Sequence, residues 1–115
     1  MTFDDEGLPS QAALQLPIEV QPLGGDLVVV AVHGDIDLKE AGELRAVLND
    51  ACVGPHHTVQ LDLADTHFIG SSGMGVLVTV SQRMVGEERR FEVLNVAPAI
   101  RVAFEIAGVA HVLDG

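Results

Sequence analysis

Between Thr58 and Arg83 the chain reads TVQLDLADTHFIGSSGMGVLVTVSQR. Its first six residues alternate polar and apolar side chains, as a strand with one buried face requires. Two adjacent serines, Ser71 and Ser72, then lie in a tight turn among Gly70, Gly73 and Gly75, and a second apolar run follows. Any fold for this chain must bury an element on each side of that turn. Hydroxyls at a turn that opens a helix stand beside unpaired backbone N–H groups, where a phosphate can be attached, held or read. The segment points to a binding module switched at this turn, not to an enzyme.

The run after the turn has two local readings. Val76–Val80 is β-branched enough for a strand. Met74, Leu77, Val78, Ser81, Met84 and Val85 instead form a stripe at helical spacing.

The rest of the chain divides more plainly. Residues 1–15 carry acids, Gln, Ser and Pro9 without a sustained period, which predicts a flexible acidic leader. Leu16–Gln21 alternates weakly and predicts a first strand ending at Pro22. Gly24, Gly25 and Asp26 mark a hairpin turn, and Leu27–Val32 reads as a strand covered on at least one face. Asp37 precedes a helical pattern with Leu38, Ala41, Leu44, Leu48, Ala51 and Cys52 on its apolar side. Asp37 as N-cap with Glu40 three residues on makes a capping-box pattern, and Gly54-Pro55 ends the helix. Phe91–Val96 predicts another strand. Pro98 suits the first turn of a helix carrying Ile100, Ala103, Phe104 and Ala107 on one face, with Gly108 as its stop. His111–Leu113 predicts a last short strand. The order predicts one α/β domain over residues 16–115, a helical layer against a mixed sheet.

Composition removes whole classes of function. A formal charge of −11 over 115 residues, with no basic cluster, argues against direct contact with nucleic acid. No apolar run approaches the ~20 residues that span a bilayer, so membrane insertion is not expected. The acidic start MTFDDEG is unlike a cationic signal peptide, and a lone cysteine, Cys52, fits a reducing cytoplasm and a buried, inert thiol. The turn is no nucleophile elbow, because Met74 stands where G-x-S-x-G needs glycine, and no G-K-[ST] follows to make a P-loop. His56 and His57 alone are a weak metal signal, and His33, His67 and His111 have no spacing that implies a site. Asp62 and Asp65, near the strand end, are explained by loop solvation and turn formation. No catalytic residue, metal or cofactor is expected.

Three separated segments carry a resemblance. GDID (Gly34–Asp37), LDLADTHFIGSSGMGVLV (Leu61–Val78) and NVAPAIRVAFEIAGV (Asn95–Val109) resemble, in order, the signature segments of STAS domains, the fold of anti-sigma-factor antagonists. The resemblance implies a mixed sheet of four to five strands with helices mainly on one side, and a helix over Ser72–Val85. It implies phosphorylation at Ser71, the first serine of the signature. It also implies a partner-switching cycle. The unmodified protein binds an anti-sigma factor that is a serine kinase and so releases a sigma factor; phosphorylation breaks that contact and a phosphatase restores it. Gly70 departs from the usual Asp and removes a carboxylate from beside the target hydroxyl. The alternative within the family is a lone STAS subunit that binds the ATPase of an ABC transport system.

The expected partner face comprises Asp37, Gly70, Ser71, Ser72, Gly73 and Met74. Asp37 lies at the tip next to the turn. Ser72 has a plainer role as the helix cap, its hydroxyl on backbone N–H groups. Gly73 and Gly75 permit the turn and close packing, and Met74 serves either the core or the partner.

Overall fold

The computed structural model describes residues 18–114, so the leader expected over residues 1–15 lies outside the described residues. The elements are β1 (Ile18–Pro22), β2 (Leu27–Val32), α1 (Leu38–Val53), β3 (Thr58–Asp62), α2 (Ser71–Gly86), β4 (Arg90–Leu94), α3 (Pro98–Ile106) and a 3-10 turn (Ala110–Asp114). One sheet runs in the order β1-β2-β3-β4, with β1 antiparallel to β2 and the other pairs parallel.

The hairpin from β1 to β2 depends on Gly24 and Gly25, whose φ angles of +58° and +56° are costly for any residue with a side chain. From β2 onward, each crossover steps one strand in the same direction. Right-handed crossovers of that kind lay both helices on one face of the sheet. Strand alternation then sorts the side chains. Val28, Val30, Val32, Val59, Leu61, Phe91 and Val93 are buried under the helices, while their neighbours along each strand face the other way. On that second face Gln60 donates to Glu92 across β3 and β4 at 2.8 Å.

Helix α1 forms as the pattern predicts. Asp37 caps it, its carboxylate accepting from the Leu38 N–H at 2.9 Å, and Glu40 accepts from the Asp37 N–H at 3.1 Å to complete the capping box. Ala41, Leu44, Leu48, Ala51 and Cys52 are buried. Leu38 departs from the expectation: it is 73% exposed, because the first residue of the helix projects past the core beside the serine turn. At the other end, the Arg89 guanidinium donates to the carbonyls of Cys52 and Gly54 at 2.7 and 3.2 Å and also reaches His56 O. The last carbonyls of a helix have no partner within it, as at Cys52, so a cation there offsets both the lost hydrogen bonds and the helix dipole.

Three further expectations need correction. The segment His111–Leu113 is part of a 3-10 turn, with Val112 N–H donating to Val109 O, and is not a strand. Val112 and Leu113 are both buried. A strand would send consecutive side chains to opposite faces, whereas a helical turn lets both reach the core. The sheet therefore has four strands among the described residues, the lower of the expected numbers. In α2 the buried stripe is Gly73, Val76, Leu77, Val80 and Met84, while Val85 is 68% exposed. The helix is turned relative to the expected face because it seats its glycine, which has no apolar side chain to signal burial, against the sheet end. On α3 only Ile100 and Phe104 are buried; Ala103 is half-buried and Ala107 exposed.

Candidate functional site

Both helices begin at the carboxyl ends of the parallel strands, and the connections that lead to them are stitched together. Ile36 N–H donates to Phe68 O at 2.9 Å and Gly70 N–H donates to Ile36 O at 2.8 Å, forming an isolated parallel bridge between Ile36 and Ile69. The buried Thr66 hydroxyl donates to Gly34 O at 2.9 Å, and His67 N–H donates to the Asp35 carboxylate at 2.9 Å. Gly34, Asp35 and Ile36 are thus each tied by a hydrogen bond to the segment 66–70 that leads into α2.

Helix α2 starts at Ser71 with Gly70 as its N-cap, and no side chain accepts from its first-turn N–H groups. The expectation that Ser72 caps the helix is overturned. Ser72 lies in the second helical position, past the point where a side chain folds back on the N–H groups ahead of it. Ser71 is exposed, and its neighbours along the chain, Gly70 and Ser72, are half-buried. Gly70 adopts φ −78°, ψ 176°, an ordinary extended conformation, so its role is spatial. A Cβ at this position would stand 3.3 Å from an Asp37 carboxylate oxygen and 3.7 Å from the Phe68 ring.

Gly73 is required by contact. A Cβ there would meet the Ile69 and Ile36 Cγ2 methyls at 2.7 and 2.9 Å, distances that real structures do not show. The start of α2 therefore presses directly on the bridged pair Ile36 and Ile69, both buried. Gly75 meets nothing within 4 Å and is exposed, so close packing within the chain does not explain it. Met74 is half-buried and packs against the core cluster.

The structure thus gathers Asp37, Gly70 and Ser71 at one tip, with Ser72 beside them and Gly73 and Met74 turned inward. Two further residues belong to this face. Phe68 is 50% and Leu38 73% exposed, on either side of the Asp37–Gly70 contact. Phe68 had a signal in the sequence, as one of four aromatic residues and standing in an otherwise polar turn. A concavity of about 590 Å³ runs back from Ser71 and Leu38 between α1 and α2, past Gly42, Arg45, Gly75 and Thr79. It offers an apolar rim, hydroxyls and a guanidinium, and it adjoins the uncapped helix start.

Among the described residues no group of three or more His, Cys, Asp or Glu side chains could hold a metal ion. No helix among them is long and apolar enough to cross a membrane. Asp62 forms the turn expected of it, accepting from Ala64 N–H at 3.0 Å, and it also receives the Asn95 amide at 3.0 Å.

The chain has relatives of known kind. A family model described as "Mlab, STAS domain" matches residues 21–114. An anti-sigma-B factor antagonist of Staphylococcus epidermidis is 28% identical over 93 residues, covering 78% of this chain and 86% of that protein. The crystal structure of an anti-sigma factor antagonist from Mycobacterium paratuberculosis superposes with a TM-score of 0.75 at 25% identity, covering 84% of this chain and 81% of the other. The Bacillus cell-fate determinant SpoIIAA, an anti-sigma factor antagonist, matches in its unphosphorylated form (TM-score 0.71) and its phosphorylated form (0.67). Each match is at 22% identity and covers 83% of this chain, with 84% and 86% of SpoIIAA.

Proposed function

The chain belongs to the STAS domain family, and from that premise we propose that it is an anti-sigma-factor antagonist switched by phosphorylation at Ser71. In this reading it acts by binding, without catalysis of its own. Unmodified, it docks on an anti-sigma factor of the serine-kinase type and a sigma factor is released. The kinase phosphorylates Ser71 and ends the contact, and a phosphatase resets it. The relatives named as antagonists support this reading, and one observation carries it. Ser71 is an exposed hydroxyl at the first turn of a helix whose N-terminal N–H groups have no side-chain cap.

That placement separates the effect on folding from the effect on binding. A phosphoserine adds about −1.5 to −2 charges. At a helix start, negative charge is favourable by roughly 0.3–1 kcal/mol when exposed. In a closed interface over Leu38, Phe68 and Asp37, the same dianion would be desolvated beside a carboxylate, at a cost of several kcal/mol. Since ~1.4 kcal/mol is a tenfold change in affinity, the partner dissociates while the fold stands.

The decisive experiment maps modification of the protein from its native cell by intact-mass and peptide spectrometry, with its partner co-purified. Phosphate on Ser71, a kinase-like anti-sigma factor in the pull-down, and loss of that factor with Ser71→Asp at unchanged circular dichroism are expected. A Ser71→Asp protein that unfolds, or that holds the factor as tightly as Ser71→Ala, overturns the mechanism. Gly70 favours a second reading, as the accessory STAS subunit of an ABC transport system, because position 70 itself carries no carboxylate to orient Ser71 for a kinase. Recovery of a transport ATPase in place of a kinase would decide for it.

A further inference from the structure

His33 follows β2 directly, on the sheet face away from the helices, and it stands between two acids. Its Nδ1 lies 2.6 Å from an Asp65 carboxylate oxygen and its Nε2 lies 2.8 Å from a Glu19 carboxylate oxygen. Glu19 is on edge strand β1, beside Ala31 in the register. Asp65 is on the connection from β3 to α2. Carboxylates only accept hydrogen bonds, so both contacts are made together only by the imidazolium, which donates from both nitrogens. A neutral ring donates from one nitrogen and turns a lone pair toward the other acid.

The position of Asp65 gives this contact its consequence. Asp65 is followed by the residues stitched to segment 34–37, through Thr66, His67, Phe68 and Gly70 in turn. Gly70 is the cap from which Ser71 starts α2. We propose that His33 is a proton-operated latch: charged, it ties edge strand β1 to the connection that carries Ser71, and on losing its proton it lets one of the two go. This goes beyond the phosphorylation switch and rests on it only for the effect on partner binding.

The charged groups that face the ring are Glu19 from β1 and Asp65 from the connection, and both are acidic. Hydrogen bonds to Glu19 and then Asp65 hold the imidazolium above the ordinary histidine range against a lesser opposing effect of desolvation. Because the folded value is raised, the latch is fully closed below the unfolded value of ~6.5 and opens as pH rises through the folded one. The window therefore lies on the neutral-to-alkaline side of an ordinary histidine.

The test is a two-dimensional NMR titration of the whole protein, following the His33 ring and the backbone amides together. His33 is expected to titrate above 6.5, with the amides of Glu19, Asp65, His67 and Gly70 moving at the same midpoint. In Glu19→Gln with Asp65→Asn, both at exposed positions, the His33 midpoint returns to the ordinary value and the amide shifts at that midpoint disappear. A wild-type midpoint at or below 6.5 overturns the proposal, as do amides that do not follow it. If the latch titrates as described but partner affinity shows no matching pH dependence, the latch stands and its link to the Ser71 switch fails. Loss of the Ser71 response with an intact latch titration would count against the phosphorylation reading alone.

Discussion

An Asp37 carboxylate oxygen lies 3.3 Å from the point a Cβ on Gly70 would occupy. The same oxygen accepts from Leu38 N–H and caps α1. The side chain that begins one helix thus fills the space beside the residue that begins the other.

Gly70→Ala should accordingly crowd Asp37, which must give by a few tenths of an ångström, and so loosen its cap. Complete loss of an N-cap costs about 1 kcal/mol, which bounds the effect from above. In an Asp37→Ala background the added methyl has nothing to displace, so the same substitution should be close to neutral. Urea unfolding of the two single variants and the double variant gives the coupling. Strict additivity would show that the two residues do not share this space.

Two glycines on one helix should respond with opposite signs. Gly73→Ala drives a methyl into Ile36 and Ile69 and should destabilise by roughly 1–3 kcal/mol through overpacking. Gly75→Ala meets nothing within 4 Å inside α2 and should stabilise by about 0.5–1 kcal/mol through helix propensity. If Gly75→Ala also abolishes partner capture while raising the melting temperature, the glycine is kept for a partner that approaches the backbone.

Arg89 is held by Glu87 at 2.8 Å and reaches three carbonyls, those of Cys52 in the last turn of α1 and of Gly54 and His56 just beyond it. Arg89→Ala leaves those carbonyls without their donor and should cost about 1–3 kcal/mol. Arg89→Lys should recover only part, because a single ammonium cannot reproduce the planar fork. Thermal melts of the three proteins would rank them wild type, Lys, Ala. A lysine variant equal to wild type would show that charge alone suffices.

Glu92 accepts from Gln60 and, at 2.7 Å, from Arg90, and these contacts in that order hold its carboxyl below the ordinary glutamate range. A depressed folded value means that the contribution is present above the unfolded value of ~4.3 and is lost as pH falls through the folded one. Gln60→Leu should raise the Glu92 midpoint in a carboxyl-detected NMR titration. The difference in stability from wild type should appear at neutral pH and shrink in acid. An unmoved midpoint would place the cause elsewhere.

Cys52 shows local reading succeeding on a small scale. Its helical spacing predicts burial, and it is buried against Met84, with burial pushing its thiol up. Leu38 shows the reverse, since the same spacing predicts burial that the end of the helix does not supply. His33 is more instructive still. Its partners, Glu19 and Asp65, are 14 and 32 residues away, and no spacing rule connects them.

Contacts close in the chain were therefore legible in advance: the Gly24-Gly25 turn, the Asp37–Glu40 capping box, Pro98 at a helix start, and the four strands. Each depends on steric and hydrogen-bonding choices made within a few residues. Local propensity left the β-branched run Val76–Val80 open, and only the family resemblance pointed to a helix. Tertiary packing decided it, along with which face of α2 is buried and that residues 110–114 form a 3-10 turn in place of a strand. Those outcomes depend on Ile36 meeting Ile69 and on the core available beneath each segment. Backbone propensities differ by only about 1 kcal/mol per residue, and burial of a single valine or leucine outweighs that.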